Sequence, residues 1–130
     1  MWKPRQLDIK TAFLYGTLSE EVYLQLPEGR RIEGKVARLR QAIYGLKQSP
    51  RQWYQHLVSF WQPYSFYTSA FDPCVLINQY GNLFVAIYVD DITIFGGEDS
   101  QTEATIGLLK SELNVKDMGP LNWLLGMQIE

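Results

Sequence analysis

The sequence predicts an α+β fold with a mostly antiparallel sheet and helices packed on one face, and three observations support this prediction. First, two apolar, β-branched and aromatic runs, 83–89 and 92–95, flank Asp90 and Asp91 and indicate a largely buried β-hairpin. Second, the predicted strands and helices alternate irregularly along the chain. Third, 130 residues with 46% hydrophobic and 20% charged content suffice for one globular domain over residues 1–130.

The first forty residues contain the weaker patterns of the chain. The predicted strands are Arg5–Ile9, Val22–Leu26 and Val36–Arg40, and a short helix covers Lys10–Leu14. Asp8 lies near the end of the first strand, directly before the helix, where a lone Asp is most often an N-cap. The second strand ends at the turn signal Pro27-Glu28-Gly29. The third alternates apolar and basic residues, which predicts one charged face.

A well-marked helix begins at Ser49, a good N-cap residue. Pro50 suits the first helical position, and Gln52 completes a Ser-x-x-Gln capping box. Pro63 ends the predicted helix. The apolar stripe of this helix favours core packing over base stacking, and its members are Trp53, Tyr54, Leu57, Val58 and Trp61. His56 lies off the stripe and is predicted to be a surface residue.

The second half of the chain adds elements on both sides of the hairpin. A strand is predicted over Cys74–Asn78, before the hairpin begins. After the hairpin, Ser100 with Glu103 forms another capping-box pattern, which starts a helix that extends to about Asn114. Residues 121–129 are apolar with aromatic content, so we expect the chain to return there as a strand.

The composition excludes several classes of protein. Cys74 is the only cysteine, which rules out an intrachain disulfide framework and a cysteine-based zinc site. The longest apolar run, 83–89, has seven residues and is too short to cross a bilayer. The first six residues lead into no secretory-type apolar segment. We therefore expect an intracellular protein with no membrane partner.

The net charge of -2 is distributed unevenly along the chain. Residues 30–51 carry seven Lys and Arg residues against one Glu, whereas residues 52–130 carry two Lys residues against nine acidic ones. A basic segment beside an acidic one suits a protein that holds a polyanion and also concentrates cations. The alternative is that residues 30–51 form an ordinary solvated face.

Asp90 and Asp91 are adjacent carboxylates that suggest a cation-binding function. Two carboxylates at the tip of a buried hairpin repel each other and lose hydration. A hard divalent cation, which prefers oxygen ligands, would offset both costs. The alternative is a simple polar turn, which Asp favours through local hydrogen bonds. Asp8 needs partners from elsewhere in the chain before it supports the cation interpretation.

Five blocks of this sequence resemble reverse transcriptases of the Ty1/copia class of retrotransposon. Tyr88-Val89-Asp90-Asp91 matches the Y-x-D-D motif, and residues 6–14 resemble the first catalytic motif of that class. The resemblance continues in the same order through residues 42–51 with Trp53-Tyr54, through Asp72-Pro73-Cys74, and through residues 115–119 with Leu125-Gly126-Met127. The Y-x-D-D motif alone is a weak signal, whereas ordered blocks over essentially the whole chain are specific.

The resemblance implies a polymerase palm with incomplete fingers, and RNA- or DNA-templated DNA synthesis by two-metal nucleotidyl transfer. It implies that Asp8, Asp90 and Asp91 are catalytic and bind metal, with Asp91 in a less direct role than the other two. The backbone carbonyl of Ile9 is a further expected ligand. The expected cofactor is a pair of Mg²⁺ ions, for which Mn²⁺ can substitute.

The same resemblance implies template–primer nucleic acid and deoxynucleoside triphosphates as partners. The nucleotide-binding residues that it implies are Phe13, Gly45 and Lys116. The ring of Phe13 would clash with a 2′-hydroxyl and so favour deoxynucleotides, although its position equally suits a helix core. The nucleic-acid contacts that it implies are Tyr88, Lys47, Ser49, Pro50 and Arg51.

Chain length distinguishes this sequence from the full polyprotein of that class. In the family, finger segments precede this region, and a thumb and an RNase H domain follow it. The alternative function is therefore an inactive palm fragment that retains the fold and at most binds nucleic acid. A two-metal nuclease or phosphohydrolase of another fold is the third interpretation. The resemblance implies a location in the cytoplasm or in a retrotransposon particle, with the remainder of a polyprotein as partner.

Overall fold

The computed structural model describes residues 3–129, and backbone contacts divide the chain into two compact units. The first unit comprises the residues up to 11 together with those from 58 onward, and the second comprises residues 12–57. The candidate carboxylates Asp8, Asp90 and Asp91 therefore belong to the first unit, whereas the basic segment 30–51 belongs to the second.

Along the described residues the chain forms ten strands and two α-helices, with short 3-10 helices at Ala12–Tyr15 and Gln62–Tyr64. The strands are β1 (Arg5–Ile9), β2 (Thr17–Leu24), β3 (Ala37–Gln41), β4 (Phe66–Thr68), β5 (Val75–Asn78), β6 (Leu83–Tyr88), β7 (Asp91–Gly96), β8 (Val115–Pro120), β9 (Trp123–Leu124) and β10 (Met127–Gln128). The helices are α1 (Ser49–Trp61) and α2 (Asp99–Glu112). No helix within residues 3–129 is long and apolar enough to cross a membrane.

The first unit is organised around a six-stranded sheet in the order β4-β5-β6-β7-β1-β8. Each strand in it pairs with its neighbours in the antiparallel sense. The first strand in the sequence, β1, lies between β7 and β8, which come from the second half of the chain. The predicted α+β fold with a mostly antiparallel sheet is therefore confirmed.

One face of this sheet forms the core of the first unit. Side chains that alternate along β1, β6 and β7 are buried there, namely Leu7, Ile9, Val85, Ile87, Ile92 and Ile94. Helix α2 contacts β7 and buries Ile106 and Leu109. Because successive strand residues point to opposite faces, the other face carries Asp8 and Asp91.

Ion pairs join α2 to β1 and β8. The Arg5 guanidinium donates to Glu103 and to Asp117, at 2.6 Å in each case, and Lys110 Nζ lies 3.6 Å from Asp117. The hydrogen bond from Arg5 is the main reason that the pKa of Asp117 lies below its usual value. The Asp117 side chain is about one-fifth exposed, so solvent screens this pair less than it screens the more exposed Glu103.

The second unit contains the β2–β3 pair and the first two turns of α1. Gly16 packs so tightly against α1 that an added Cβ would lie 2.9 Å from Gln52 Cβ. His56, which was predicted to be a surface residue, is only partly exposed. Its ring is partly buried and stacks on Tyr15 and Trp53, with centroid distances of 5.9 and 6.1 Å, and burial lowers its pKa.

Both helices begin with interactions that differ from the predicted capping boxes. Helix α1 begins at Ser49 as predicted, but the Ser49 hydroxyl donates to the carbonyl of Ile43, and the Gln52 N–H donates to Gln48 at 3.0 Å. The reciprocal box of α2 is formed by Glu98 and Gln101, two residues earlier than predicted. At α1 the Ser49 hydroxyl therefore bonds to a carbonyl six residues earlier in the chain, whereas at α2 the capping box keeps its spacing and begins at a different residue.

The end of the chain folds as a hairpin, whereas a single strand was predicted over residues 121–129. Strands β9 and β10 pair with each other, and the intervening Leu125 and Gly126 adopt φ values of 51° and 81°. Glycine adopts this left-handed conformation readily, which explains a reversal of the chain at this point. The hairpin leaves Trp123 and Met127 more than half exposed.

Candidate active site

The pairing of β1 with β7 brings the candidate carboxylates to one corner of the sheet. Asp8 lies directly opposite Asp91, and the N–H of Ile9 donates to the carbonyl of Asp90 at 2.8 Å. Directly opposed residues in an antiparallel pair have Cβ atoms about 4.5–5.5 Å apart. Residues that lie 82 positions apart in the sequence therefore meet within one strand pairing.

The turn of the hairpin consists of Val89 and Asp90, because Tyr88 pairs with Asp91. The sequence interpretation centred this turn on both carboxylates, and for Asp91 that interpretation is wrong. Val89 takes the left-handed conformation, with φ of 54°, and Asp91 is already the first residue of β7. The two adjacent carboxylates therefore have different settings, one on the turn and one on the sheet.

One row of residues crosses four strands at this corner. From β6 through β7 and β1 to β8, the opposed residues are Tyr88, Asp91, Asp8 and Lys116. Directly opposed residues share a face, so a phenol, two carboxylates and an ammonium lie side by side on the face opposite the apolar core. Tyr88 and Lys116 are exposed, whereas Asp8 and Asp91 are partly buried.

The three carboxylates differ in their hydrogen bonds. Gln6 Nε2 donates to both oxygens of Asp91, at 2.9 and 3.1 Å. Within residues 3–129, the carboxylates of Asp8 and Asp90 make no hydrogen bond or ion pair to another side chain or to the backbone. Two of the three carboxylates therefore keep their oxygens available to an incoming group.

The electrostatics of Asp91 show that the three carboxylates influence one another. Burial is the main cause that raises the pKa of Asp91, and the charges of Asp90 and Asp8 raise it further. The hydrogen bond from Gln6 acts in the opposite direction, because it stabilises the ionised form. A cation near Asp8 and Asp90 would relieve this repulsion.

Among residues 3–129, no three His, Cys, Asp or Glu side chains are gathered closely enough to hold a metal ion by themselves. Mg²⁺ is usually bound through one or two carboxylates, with substrate phosphates and water completing its six oxygen ligands. Asp8 and Asp90 supply two free carboxylates in neighbouring positions. This donor set fits a cation that is bound jointly by the protein and a phosphate-bearing substrate.

A groove of about 280 Å³ adjoins Asp91 on this face of the first unit. Its lining includes Asp72, Cys74, Ala86, Tyr88, Thr93 and Leu124. The reasoning from residues alone did not assign Asp72, Cys74 or Leu124 to a site. Signals for this region were present in the Asp72-Pro73-Cys74 and Leu125-Gly126-Met127 blocks, which had been used only for the resemblance.

The other predicted site residues lie in the second unit. Phe13 is 7% exposed, and its ring centroid lies 4.4 Å from that of Tyr44. Gly45 has φ of 101°, a left-handed conformation that disfavours other residues. Lys47, Pro50 and Arg51 are exposed, whereas Ser49 is fully buried.

Over residues 1–130, this chain matches the protein family described as reverse transcriptase (RNA-dependent DNA polymerase). The chain is 40% identical over 130 residues to the retrovirus-related Pol polyprotein from transposon TNT 1-94 of Nicotiana tabacum. It is 39% and 37% identical, over 132 aligned residues each, to the corresponding polyproteins from transposons RE2 and RE1 of Arabidopsis thaliana. The chain belongs to the reverse transcriptase family.

This member of the reverse transcriptase family matches only a short part of its relatives. The alignments cover 95% of this chain and 10% of the Nicotiana tabacum polyprotein, and 98% of this chain and 9% of each Arabidopsis thaliana polyprotein. The family membership inferred from the sequence blocks is confirmed. The roles of individual residues in this reverse transcriptase chain stay predictions.

Proposed function

We propose that this chain carries the palm of a Ty1/copia-type reverse transcriptase, whose reaction is RNA- or DNA-templated DNA synthesis. The observation that supports this most directly is the opposition of Asp8 and Asp91 across β1 and β7, with Asp90 on the adjoining turn. The family match and the free oxygens of Asp8 and Asp90 are consistent with it. The prediction of one palm-type domain over residues 1–130 is part of this proposal.

Asp8 and Asp90 are the proposed primary ligands of two Mg²⁺ ions, or of Mn²⁺ in their place. When bound, such a pair would supply activation of the primer 3′-hydroxyl and neutralisation of the pyrophosphate leaving group. The carbonyl of Ile9 is a further proposed ligand. Asp91, which is engaged by Gln6, acts less directly.

Lys116 is proposed to contact the phosphates of the incoming deoxynucleotide. It is exposed and lies opposite Asp8 on β8, so its ammonium lies on the same face as the carboxylates. An ammonium in this position lowers the cost of bringing a triphosphate beside Asp8 and Asp90, because it offsets their negative charge. Tyr88, at the other end of the row, is proposed to contact the primer strand.

The basic segment 30–51 is proposed to bind the template–primer backbone. Its seven Lys and Arg side chains are all exposed. Among the described residues, the only ion pair that involves this segment joins Arg38 to Glu21, at 3.0 Å. The remaining cations are therefore available to phosphates. Lys47, Pro50 and Arg51 are proposed to contact nucleic acid, whereas the buried Ser49 is proposed to support their loop through its bond to Ile43.

Phe13 and Gly45 are proposed to shape the nucleotide site. The Phe13 ring would exclude a ribonucleotide 2′-hydroxyl, and Gly45 would allow close approach of the backbone to the new base pair. The burial of Phe13 against Tyr44 is also what a core residue would show. The test of Phe13 is therefore the sugar selectivity of the enzyme.

The second candidate function is an inactive palm that binds nucleic acid. The observation that favours an inactive palm is that this chain covers only 10% or less of the length of each of these polyproteins. In either case we propose that the chain acts in the cytoplasm or in a retrotransposon particle, with the remainder of a polyprotein as partner.

Primer extension by the purified 130-residue chain separates the two candidates. We expect deoxynucleotide incorporation that requires Mg²⁺ or Mn²⁺ and that Asp8→Asn and Asp90→Asn each abolish. Asn keeps the volume of Asp but lacks its charge, so the loss reports on cation binding. Asp99→Asn, at the exposed start of α2, is the matched control and should retain activity. Nucleic-acid binding without any incorporation would support the inactive palm.

A further inference from the structure

Gln6 makes a contact that the proposed reaction does not yet use. It lies two residues before Asp8 on β1, so both side chains are on the face that carries the carboxylates. Gln6 lies opposite Thr93 of β7, which is two residues farther from the hairpin turn than Asp91 is. From that position Gln6 Nε2 reaches diagonally to both oxygens of Asp91, at 2.9 and 3.1 Å.

This contact sets the direction in which Asp91 points. The amide of Gln6 lies on the side of Asp91 away from the turn, whereas Asp90 lies on the turn itself. A carboxylate bonded to Gln6 is therefore directed along the sheet, away from Asp90. Asp8, Asp90 and Asp91 are neighbours, yet within residues 3–129 no three Asp, Glu, His or Cys side chains lie close enough together to bind one metal ion. The orientation of Asp91 towards Gln6 agrees with this finding.

Glutamine is better suited to hold the Asp91 carboxylate than lysine, arginine or glutamate would be. Its amide N–H groups satisfy the partly buried Asp91 without adding a charge to the corner. A lysine or arginine would bring a positive charge that competes with a metal ion, and a glutamate would add a fourth negative charge. The Gln6 amide therefore restrains the Asp91 carboxylate and leaves the electrostatic potential at Asp8 and Asp90 nearly unchanged.

We propose that Gln6 is a positioning residue that holds the Asp91 carboxylate away from the cation and so leaves Asp8 and Asp90 as its two carboxylate ligands. This inference rests on the proposed function. It explains why adjacent aspartates act differently: one faces the cation from the turn, and the other is held by a neighbouring strand. Loss of the amide frees Asp91 to join the other two carboxylates.

Mn²⁺ binding to the full 130-residue chain, measured by electron paramagnetic resonance of the free ion, tests this proposal without reference to activity. Gln6→Met keeps the length of the side chain but has no amide. We expect it to bind Mn²⁺ roughly three- to tenfold more tightly, because a third carboxylate then reaches the ion. Adding Asp91→Asn to Gln6→Met should abolish this gain. Gln79→Met, at an exposed glutamine, is the matched control and should bind like the unchanged chain.

The outcomes separate this inference from the proposed function. If Asp8→Asn and Asp90→Asn weaken Mn²⁺ binding but Gln6→Met does not strengthen it, the role of Gln6 is wrong and the metal site stands. If neither aspartate substitution weakens binding, the proposed function fails and the role of Gln6 fails with it. Circular dichroism verifies that each variant is folded. Gln6→Asn, whose amide is one methylene too short to reach Asp91, replaces Gln6→Met if that variant does not fold.

Discussion

At the scale of single residues, the candidate site is built from local differences between similar side chains. Asp90 and Asp91 are adjacent and chemically identical, yet one lies on a turn and the other accepts hydrogen bonds from Gln6 in a sheet. A difference between their roles is a prediction from the family resemblance. The structure shows a physical difference between the two, because strand pairing gives a donor to the Asp91 carboxylate and none to that of Asp90.

The burial of Phe13 sharpens the prediction about sugar selectivity. Replacing this nearly buried ring by alanine should cost about 3–5 kcal/mol of stability through the cavity that it leaves. The remaining folded enzyme should incorporate ribonucleotides more readily relative to deoxynucleotides, because the proposed steric block is gone. The ratio of the two incorporation rates is the measurement, since it is independent of the folded fraction.

Leu14→Ala is the control for this experiment, because Leu14 is the exposed neighbour of Phe13. It should leave both the stability and the rate ratio nearly unchanged. A Phe13→Ala enzyme that loses both incorporation rates equally would assign Phe13 to the core alone.

Asp117 should make the first unit sensitive to acid. Its pKa is lowered in the folded protein, mainly by the hydrogen bond from Arg5, so its contribution to stability is present above its usual pKa near 4. That contribution is lost as the pH falls through the lower, folded-state value. Asp117→Asn should therefore lower the free energy of unfolding at pH 7 by about 1–2 kcal/mol and should weaken its dependence on pH below about 4.

Glu103→Gln is the comparison for Asp117→Asn, because Glu103 shares the Arg5 guanidinium but is 60% exposed. Its effect should be at most a few tenths of a kcal/mol. Urea unfolding at several pH values measures both variants, and equal effects would contradict the assignment of the main interaction to Asp117.

At the scale of elements, local patterns predicted those parts of the fold whose stability is local. Strand β1 has the predicted bounds because its residues alternate between apolar and polar, and α1 begins and ends where Ser49 and Pro63 indicate. Strand β4 was missed because it covers only three residues and depends on its pairing with β5. The capping partners were wrong because the hydroxyl of Ser49 is used by Ile43, a tertiary contact that spacing cannot reveal.

Two glycines give opposite predictions for the same substitution. Gly16→Ala should destabilise the second unit by about 1–3 kcal/mol, because the new methyl would lie 2.9 Å from Gln52 Cβ and close to the backbone of α1. Gly107→Ala, in the middle of α2 with open space around it, should stabilise the protein by about 0.5–1 kcal/mol. Thermal unfolding of the two variants checks both signs, and a Gly16→Ala protein as stable as the parent would contradict the close approach.

At the scale of the whole molecule, the distribution of charge predicts how the chain binds nucleic acid. The exposed cations of residues 30–51 should bind a DNA–RNA hybrid weakly, with an affinity that falls roughly ten- to hundredfold between 50 and 200 mM salt. Substituting Lys47 and Arg51 together by alanine should weaken binding and reduce this salt dependence. Fluorescence anisotropy measures both, with Lys3→Ala, at an exposed lysine of the first unit, as the control.

No local sequence pattern could predict which residues the candidate site brings together. Asp8 taken alone was most simply a helix cap, and only the pairing of β1 with β7 joins it to Asp91. Periodicity does not specify which strands pair, so residues alone could nominate the Asp90–Asp91 pair but not its partner. The partner came from the ordered blocks of the family resemblance, and the role of Gln6 came from the structure.

The place of β1 between β7 and β8 has a consequence for how the molecule folds. Residues 5–9 leave the ribosome well before their pairing partners, 91–96 and 115–120. Closing so long a loop costs entropy before any contact compensates it, and such topologies fold slowly. The corner that holds Asp8 therefore assembles late, and until then β1 has two unpaired edges that invite association with other chains. During synthesis, the side chains of this corner would come together only after the whole segment from β1 to β8 has been made.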